Sequence, residues 1–89
     1  MNTESSPLKW TDSHCHLPED LEKCMEILNG ASSAGVDRLI DVGTDVPRSR
    51  AAIERAETYE NVFATAGVHP HDAEAGIDGL EELLANKSV

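Results

Sequence analysis

Apolar residues along the chain change spacing repeatedly between the period of a strand and that of a helix, and the alternation predicts three strand-then-helix units. The first strand is expected over Lys9 to His16. Pro18, followed by Glu19 and Asp20, then opens a helix, since proline loses nothing in a first turn and carboxylates suit the positive helix start. Leu21, Cys24, Met25 and Leu28 recur at helical spacing as its buried face, and Gly30 or Gly35 ends it. A second strand spans about Arg38 to Val42 and turns at Gly43-Thr44-Asp45. Asp45 or Thr44 caps the next helix, with Pro47 just inside its start and Ala52, Ile53, Ala56 and Tyr59 as its apolar stripe. The third strand is expected over Val62 to His69. Alternation puts Phe63, Thr65, Gly67 and His69 on one face, and the apolar set Val62, Ala64, Ala66 and Val68 against helices. A last helix is predicted from about Asp78 to Asn86 through Leu80, Leu83 and Leu84, with Asp78 and Glu81 as an acidic variant of a capping box.

Repeated strand-helix units build parallel sheets, which are normally covered on both faces. Three helices on one side leave the other face bare, and in a (β/α) barrel that face is the interior. A whole barrel takes about 250 residues. The 89-residue chain therefore fits an α/β fold consisting of the first three β/α units of a TIM-type (β/α) barrel, an incomplete barrel. Residues 8–89 carry this pattern, and the Ser-rich residues 1–7 are expected to form a flexible N-terminal tail.

Composition is ordinary, with 39% hydrophobic and 27% charged residues. No run approaches the roughly 18 apolar residues of a membrane-spanning helix, and no basic-then-apolar secretion signal opens the chain. A cytoplasmic protein without membrane contact is expected. Cys15 and Cys24 are too few for a disulfide framework and are not spaced Cys-x-x-Cys, so reduced thiols in the interior are expected. The net charge of -10 repels a nucleic-acid backbone and argues against a simple DNA-binding module. It argues less against a nuclease, where a metal ion holds a phosphate locally.

In an extended strand Asp12, His14 and His16 share one face while Ser13 and Cys15 take the other. Two imidazoles then converge, and neutral imidazole is a common ligand for divalent metals. A bare His-x-His also arises by chance as two unrelated polar residues at a strand end. The three-unit pattern adds position: His14 and His16, Gly43-Thr44-Asp45, and His69-Pro70-His71 all fall at the C-terminal ends of strands, the rim where barrel enzymes carry their active sites. His69 is either a residue of that site or a buried structural histidine bonded to a carbonyl. His71 is a solvated turn residue or helix-start group. Asp12 is either an outer carboxylate that orients a ligating imidazole or a buried acid held by hydrogen bonds. Asp41 and Asp45 are weaker candidates, and Glu19-Asp20 and Glu81-Glu82 are solvated helix faces.

Asp12-Ser13-His14-Cys15-His16-Leu17 resembles the opening metal motif of the TatD family. Gly67-Val68-His69-Pro70-His71-Asp72-Ala73 resembles its second signature at a similar spacing, and Gly35-Val36 and Val42-Gly43-Thr44-Asp45 are similar to the family as well. The resemblance implies a barrel of the metal-dependent hydrolase superfamily and a deoxyribonuclease that cleaves phosphodiester bonds in DNA, its substrate, when complete. It implies divalent metal ions, Mg2+ first, with Mn2+ or Zn2+ as alternatives. It makes His14 and His16 metal ligands and His69 a catalytic residue near the metal or the substrate phosphate. The family's other ligands, a glutamate after the fourth strand and then two histidines and an aspartate, would lie beyond Val89, so this chain alone is expected to hold metal weakly and be inactive. Pro18 stands where the family usually has Asp or Asn, which removes any contact made by that side chain. Two other functions compete. One is an amidohydrolase-type C–N hydrolase, which also opens with His-x-His but often needs a bridging lysine that Lys9, Lys23 and Lys87 do not supply. The other is an inert fragment whose bare sheet face associates with other chains.

Overall fold

The computed structural model describes residues 8–89, so the expected tail over residues 1–7 lies outside the described residues. Three strands, β1 (Trp10–Cys15), β2 (Val36–Val42) and β3 (Val62–Thr65), form a parallel sheet in the order β1-β2-β3. Helix α1 (Leu21–Ser33) connects the first two, α2 (Val46–Thr58) the second and third. A 3-10 helix (Pro70–Ala75) and a short α3 (Leu80–Leu84) follow. The alternating β/α construction is as the hydrophobic pattern predicts.

Helix α1 starts where the Asp20 carboxylate accepts the Lys23 backbone N–H at 3.0 Å, which satisfies a donor that the first turn leaves free. Of the two glycines expected to end it, Gly30 lies inside the helix and Gly35, with φ 90°, ends it. That left-handed backbone angle is nearly free of cost only for glycine. The buried face is narrower than expected. Cys24 and Leu28 are buried with Ala31 packed beside them, but Leu21 and Met25 are exposed. Residues 24, 28 and 31 form the single line along which α1 meets the sheet, and positions 21 and 25 fall to its side.

Helix α2 follows the expected plan more closely, with Asp45 as cap and Pro47 in its first turn. Its buried stripe is Ser49, Ala52 and Ile53, flanked by half-buried Ala56. Leu17, Cys24, Leu28, Leu39 and Val62 form the main core beneath α1, while Ala52, Ile53 and Ala64 form a second cluster beneath α2. The opposite face of the sheet carries Phe63, which is exposed.

Helix α1 begins at Leu21 behind its Asp20 cap, so Pro18 lies ahead of the helix and not in its first turn, and two later elements depart further from expectation. β3 ends at Thr65 rather than His69, because β2 turns away after Val42 into α2 and a longer strand has no partner. The chain is instead held by Ser49 Oγ, which accepts the Gly67 N–H at 3.0 Å and donates to the Gly67 carbonyl at 3.1 Å. The last helix is Leu80–Leu84, shorter at both ends, and Gly79 occupies its cap position without any side-chain bond. The capping box of Asp78 and Glu81 does not form. The Ser88 carbonyl accepts the Ala64 N–H at 2.9 Å, bringing the end of the chain back beside β3.

Candidate functional site

Hydrogen bonds between the strand ends bring the three histidine-bearing and glycine-bearing segments to one rim. His16 Nδ1 lies 3.1 Å from the Val42 carbonyl, and the His69 N–H donates to the Thr44 carbonyl at 2.7 Å. Gly43 N–H lies 3.2 Å from the Thr65 carbonyl and 3.3 Å from its Oγ1. Glycine is required here for space: a Cβ on residue 43 would stand 2.3 Å from Ser49 Oγ, 2.7 Å from Ser49 Cα and 2.8 Å from the Thr65 carbonyl.

Strict alternation along β1 is interrupted by a register shift between Asp12 and Cys15, yet His14 and His16 still meet. Their ring centres are 5.1 Å apart with planes at 84°. Two imidazoles bound to one ion through nitrogens at about 2.1 Å have centres roughly 5 Å apart, so the pair fits two ligands of a divalent metal. The bond to Val42 adds a chemical constraint. A carbonyl only accepts, so His16 carries its proton on Nδ1 and leaves the Nε2 lone pair for a ligand. Asp12 Oδ1 accepts the His14 backbone N–H at 3.1 Å. Its carboxylate therefore braces the strand rather than an imidazole, and it is exposed, not a buried acid.

His69 and His71 form a second edge-on pair, with ring centres 4.8 Å apart and planes at 88°. Here the ring chemistry is reversed. His69 Nδ1 accepts the backbone N–H of His71 at 3.1 Å, so the neutral ring carries its proton on Nε2 and presents a donor. His69 is exposed and bonded to an N–H, which replaces the expectation of a buried histidine held by a carbonyl. His71 is exposed at the start of the 3-10 helix. Among the described residues, no three of His, Cys, Asp and Glu gather into a set that would hold a metal ion, so the two pairs are neighbours on one rim and not one cluster.

Beside His16 lies a cleft of ≈350 Å3 lined by His16, Pro18, Asp41, Arg48 and Arg55 among others. Asp41 is 1% exposed, accepts the Leu17 N–H at 3.2 Å through Oδ1, and pairs with Arg55 Nε at 2.5 Å through Oδ2. Periodicity alone assigns no role to Arg55 or Ser49. The phase of the sequence does hold the signal: Asp41 shares the parity of buried Leu39, and Ser49 lies in line with Ala52 and Ile53. Asp45 pairs with exposed Arg48 at 2.6 Å while capping α2. Both thiols are free: Cys24 is buried, whereas Cys15 is half-buried with its Sγ 3.3 Å from the Ile40 carbonyl.

Residues 11–89 match the family described as TatD related DNase. An uncharacterized metal-dependent hydrolase, YabD, of Bacillus subtilis (strain 168) is 39% identical over 79 residues, 83% of this chain and 29% of that protein. The 3'-5' ssDNA/RNA exonuclease TatD of Klebsiella pneumoniae (strain 342) is 36% identical over 59 residues, 66% of this chain and 22% of that protein. Its namesake from Cronobacter sakazakii (strain ATCC BAA-894) is 44% identical over 48 residues, 54% of this chain and 18% of that protein. The chain thus spans less than a third of the length of these relatives. With the family match running from β1 to the last residue, and both histidine motifs inside it, the chain belongs to the TatD-related DNase family.

Proposed function

We propose that this chain forms the first three β/α units of a (β/α) barrel that hydrolyses phosphodiester bonds in nucleic acid, DNA first, with the help of divalent metal. In this proposal His14 and His16 are metal ligands, and His69 touches the substrate. The observation that carries it is the bond from His16 Nδ1 to the Val42 carbonyl, which leaves a lone pair beside a second imidazole at a spacing that suits one ion. When bound, the ion supplies Lewis-acid stabilisation of the phosphoryl oxygens and activates water for attack; Mg2+ is the first candidate, with Mn2+ and Zn2+ next. His16 is held in one tautomer by β2, so it meets the ion without first moving a proton. His69 presents Nε2–H to a non-bridging phosphate oxygen, the donor that its bond from His71 enforces. The remaining ligands come from the strands that complete the barrel.

Support comes from the relatives' names, one a metal-dependent hydrolase and others ssDNA/RNA exonucleases. The test is release of nucleotides from single-stranded DNA, with and without Mg2+ or Mn2+, by the protein carrying the complete barrel. His14→Ala and His16→Ala should each abolish metal-dependent release, and His69→Ala should lower kcat while leaving metal binding intact. Full activity in both ligand variants would remove the metal assignment.

A further inference from the structure

Two consecutive residues of β2 hold the two residues that directly follow β1. Val42 holds the His16 ring through its carbonyl, and Asp41 holds the next backbone N–H, that of Leu17, through Oδ1. The second bond is accepted by a carboxylate 1% exposed, in a strand whose other buried residue is Leu39. A buried carboxylate is costly unless it is paired, and Arg55 from α2 supplies the pair through Nε at 2.5 Å. Leu17 is itself buried in the main core, so the clamp fixes the residue after His16 from both its backbone and its side chain.

We propose that the Asp41–Arg55 pair is a positioning device for His16: Arg55 orients the Asp41 carboxylate, and the carboxylate fixes the Leu17 N–H, so that the His16 ring stays in register with the Val42 carbonyl. The ring then keeps Nδ1 protonated and Nε2 open. In its bearing on metal, the inference rests on the assignment of His16 as a ligand; in its bearing on the ring, it does not. Neither residue touches the ion or substrate in this scheme. Their effect passes through one backbone bond. A helix on the outer side of the sheet thereby reaches the rim, which ties the packing of α2 to the chemistry of β1.

The test separates positioning from folding with two double variants of this chain. Asp41→Leu with Arg55→Leu removes the acceptor for Leu17 but leaves no unpaired charge, and replacing a buried ion pair by apolar residues is often neutral for stability. Asp41→Asn with Arg55→Gln keeps a neutral acceptor at the same place. Zn2+ affinity is measured by titration, and the tautomer of His16 by long-range 15N–1H spectra of its ring without metal. The apolar pair should weaken Zn2+ binding about tenfold, as loss of outer partners does, and move His16 towards a mixture of tautomers; the amide pair should restore both. Unchanged affinity and an unchanged Nδ1–H tautomer in a folded apolar variant would overturn the inference. If the apolar pair does not fold, Arg55→Lys decides: it keeps the charge but not the Nε–H that orients Asp41, so a mixture of tautomers would support the inference and an unchanged Nδ1–H tautomer with unchanged affinity would overturn it. Zn2+ binding that survives His14→Ala and His16→Ala would remove the ligand assignment, and the tautomer spectra would still judge the positioning of the ring.

Discussion

Two His-x-His pairs face the same rim with almost the same ring geometry, 5.1 Å and 84° for His14–His16 against 4.8 Å and 88° for His69–His71. Their chemistry differs because the backbone around them differs. A strand end that borders another strand meets a carbonyl, so His16 donates its Nδ1–H to that bond and offers a lone pair at Nε2. A segment that curls into a 3-10 helix turns a free N–H back on the ring before it, so His69 accepts at Nδ1 and offers a proton. Side-chain spacing alone does not distinguish a ligand from a donor; the partner of the other ring nitrogen does.

The sharpest way to break this contrast is metal titration. His14→Ala or His16→Ala should weaken Zn2+ or Mn2+ binding on the order of a hundredfold, the upper end of what even outer partners contribute. His69→Ala and His71→Ala should leave it nearly unchanged, as judged by calorimetry or by broadening of the His14 and His16 ring signals with Mn2+. Comparable losses from both pairs would erase the distinction.

Next in size is the joint between the two regions. Gly43 N–H is bonded to Thr65, and a Cβ there enters the space of Ser49 and the Thr65 carbonyl. Gly43→Ala should cost about 3 kcal/mol, towards the high end for overpacking because backbone as well as side chain must move. Urea unfolding measures it, and the loss should come with displacement of the His16 as well as the His69 ring signals, because the Val42 carbonyl that holds His16 and the Gly43 N–H belong to one peptide. Ser49→Ala is the milder version. It leaves the Gly67 N–H and carbonyl without their partner, at about 1–3 kcal/mol, and faster hydrogen exchange at Gly67 with β1 unaffected would locate the damage.

The difference between the two regions also explains what could be read from the sequence. The strand-helix order and the cap at Asp45 followed from periodicity and capping chemistry, which are local. His14 and His16 were legible as a pair because a strand places alternate residues together, and the bulge after Asp12 did not separate them. The extent of β3 was not legible: whether residues 66–69 pair as strand depends on where β2 turns away, which is a property of another segment. The same holds for Asp41. Its parity marks it as buried, but the arginine that makes the burial tolerable lies fourteen positions on, in α2. Ser49 belongs to this class too, since only the close approach of Gly67 gives its hydroxyl a function.

The smallest expected effect separates the regions by pH. Burial, followed by the nearby charges of Asp12 and Asp41, pushes the Cys15 thiol up to about 11 from 9.0. The protonated thiol is also the form that donates to the Ile40 carbonyl at 3.3 Å. A folded-state value above the unfolded one means that the folded chain binds this proton more tightly. The resulting stability is fully present below the unfolded value and is lost as pH rises through about 9 to about 11. Because Cys15 is only half-buried, solvent screens much of the effect. Over that window the urea midpoint of the wild type should fall further than that of Cys15→Ala, which has no thiol to ionise. The ring signals of His14 and His16, beside Cys15 on β1, should shift with the thiol, while those of His69 and His71 stay in place. Equal shifts in all four rings would mean that the rim responds as one body, and that the two pairs differ in tautomer but not in how they are anchored.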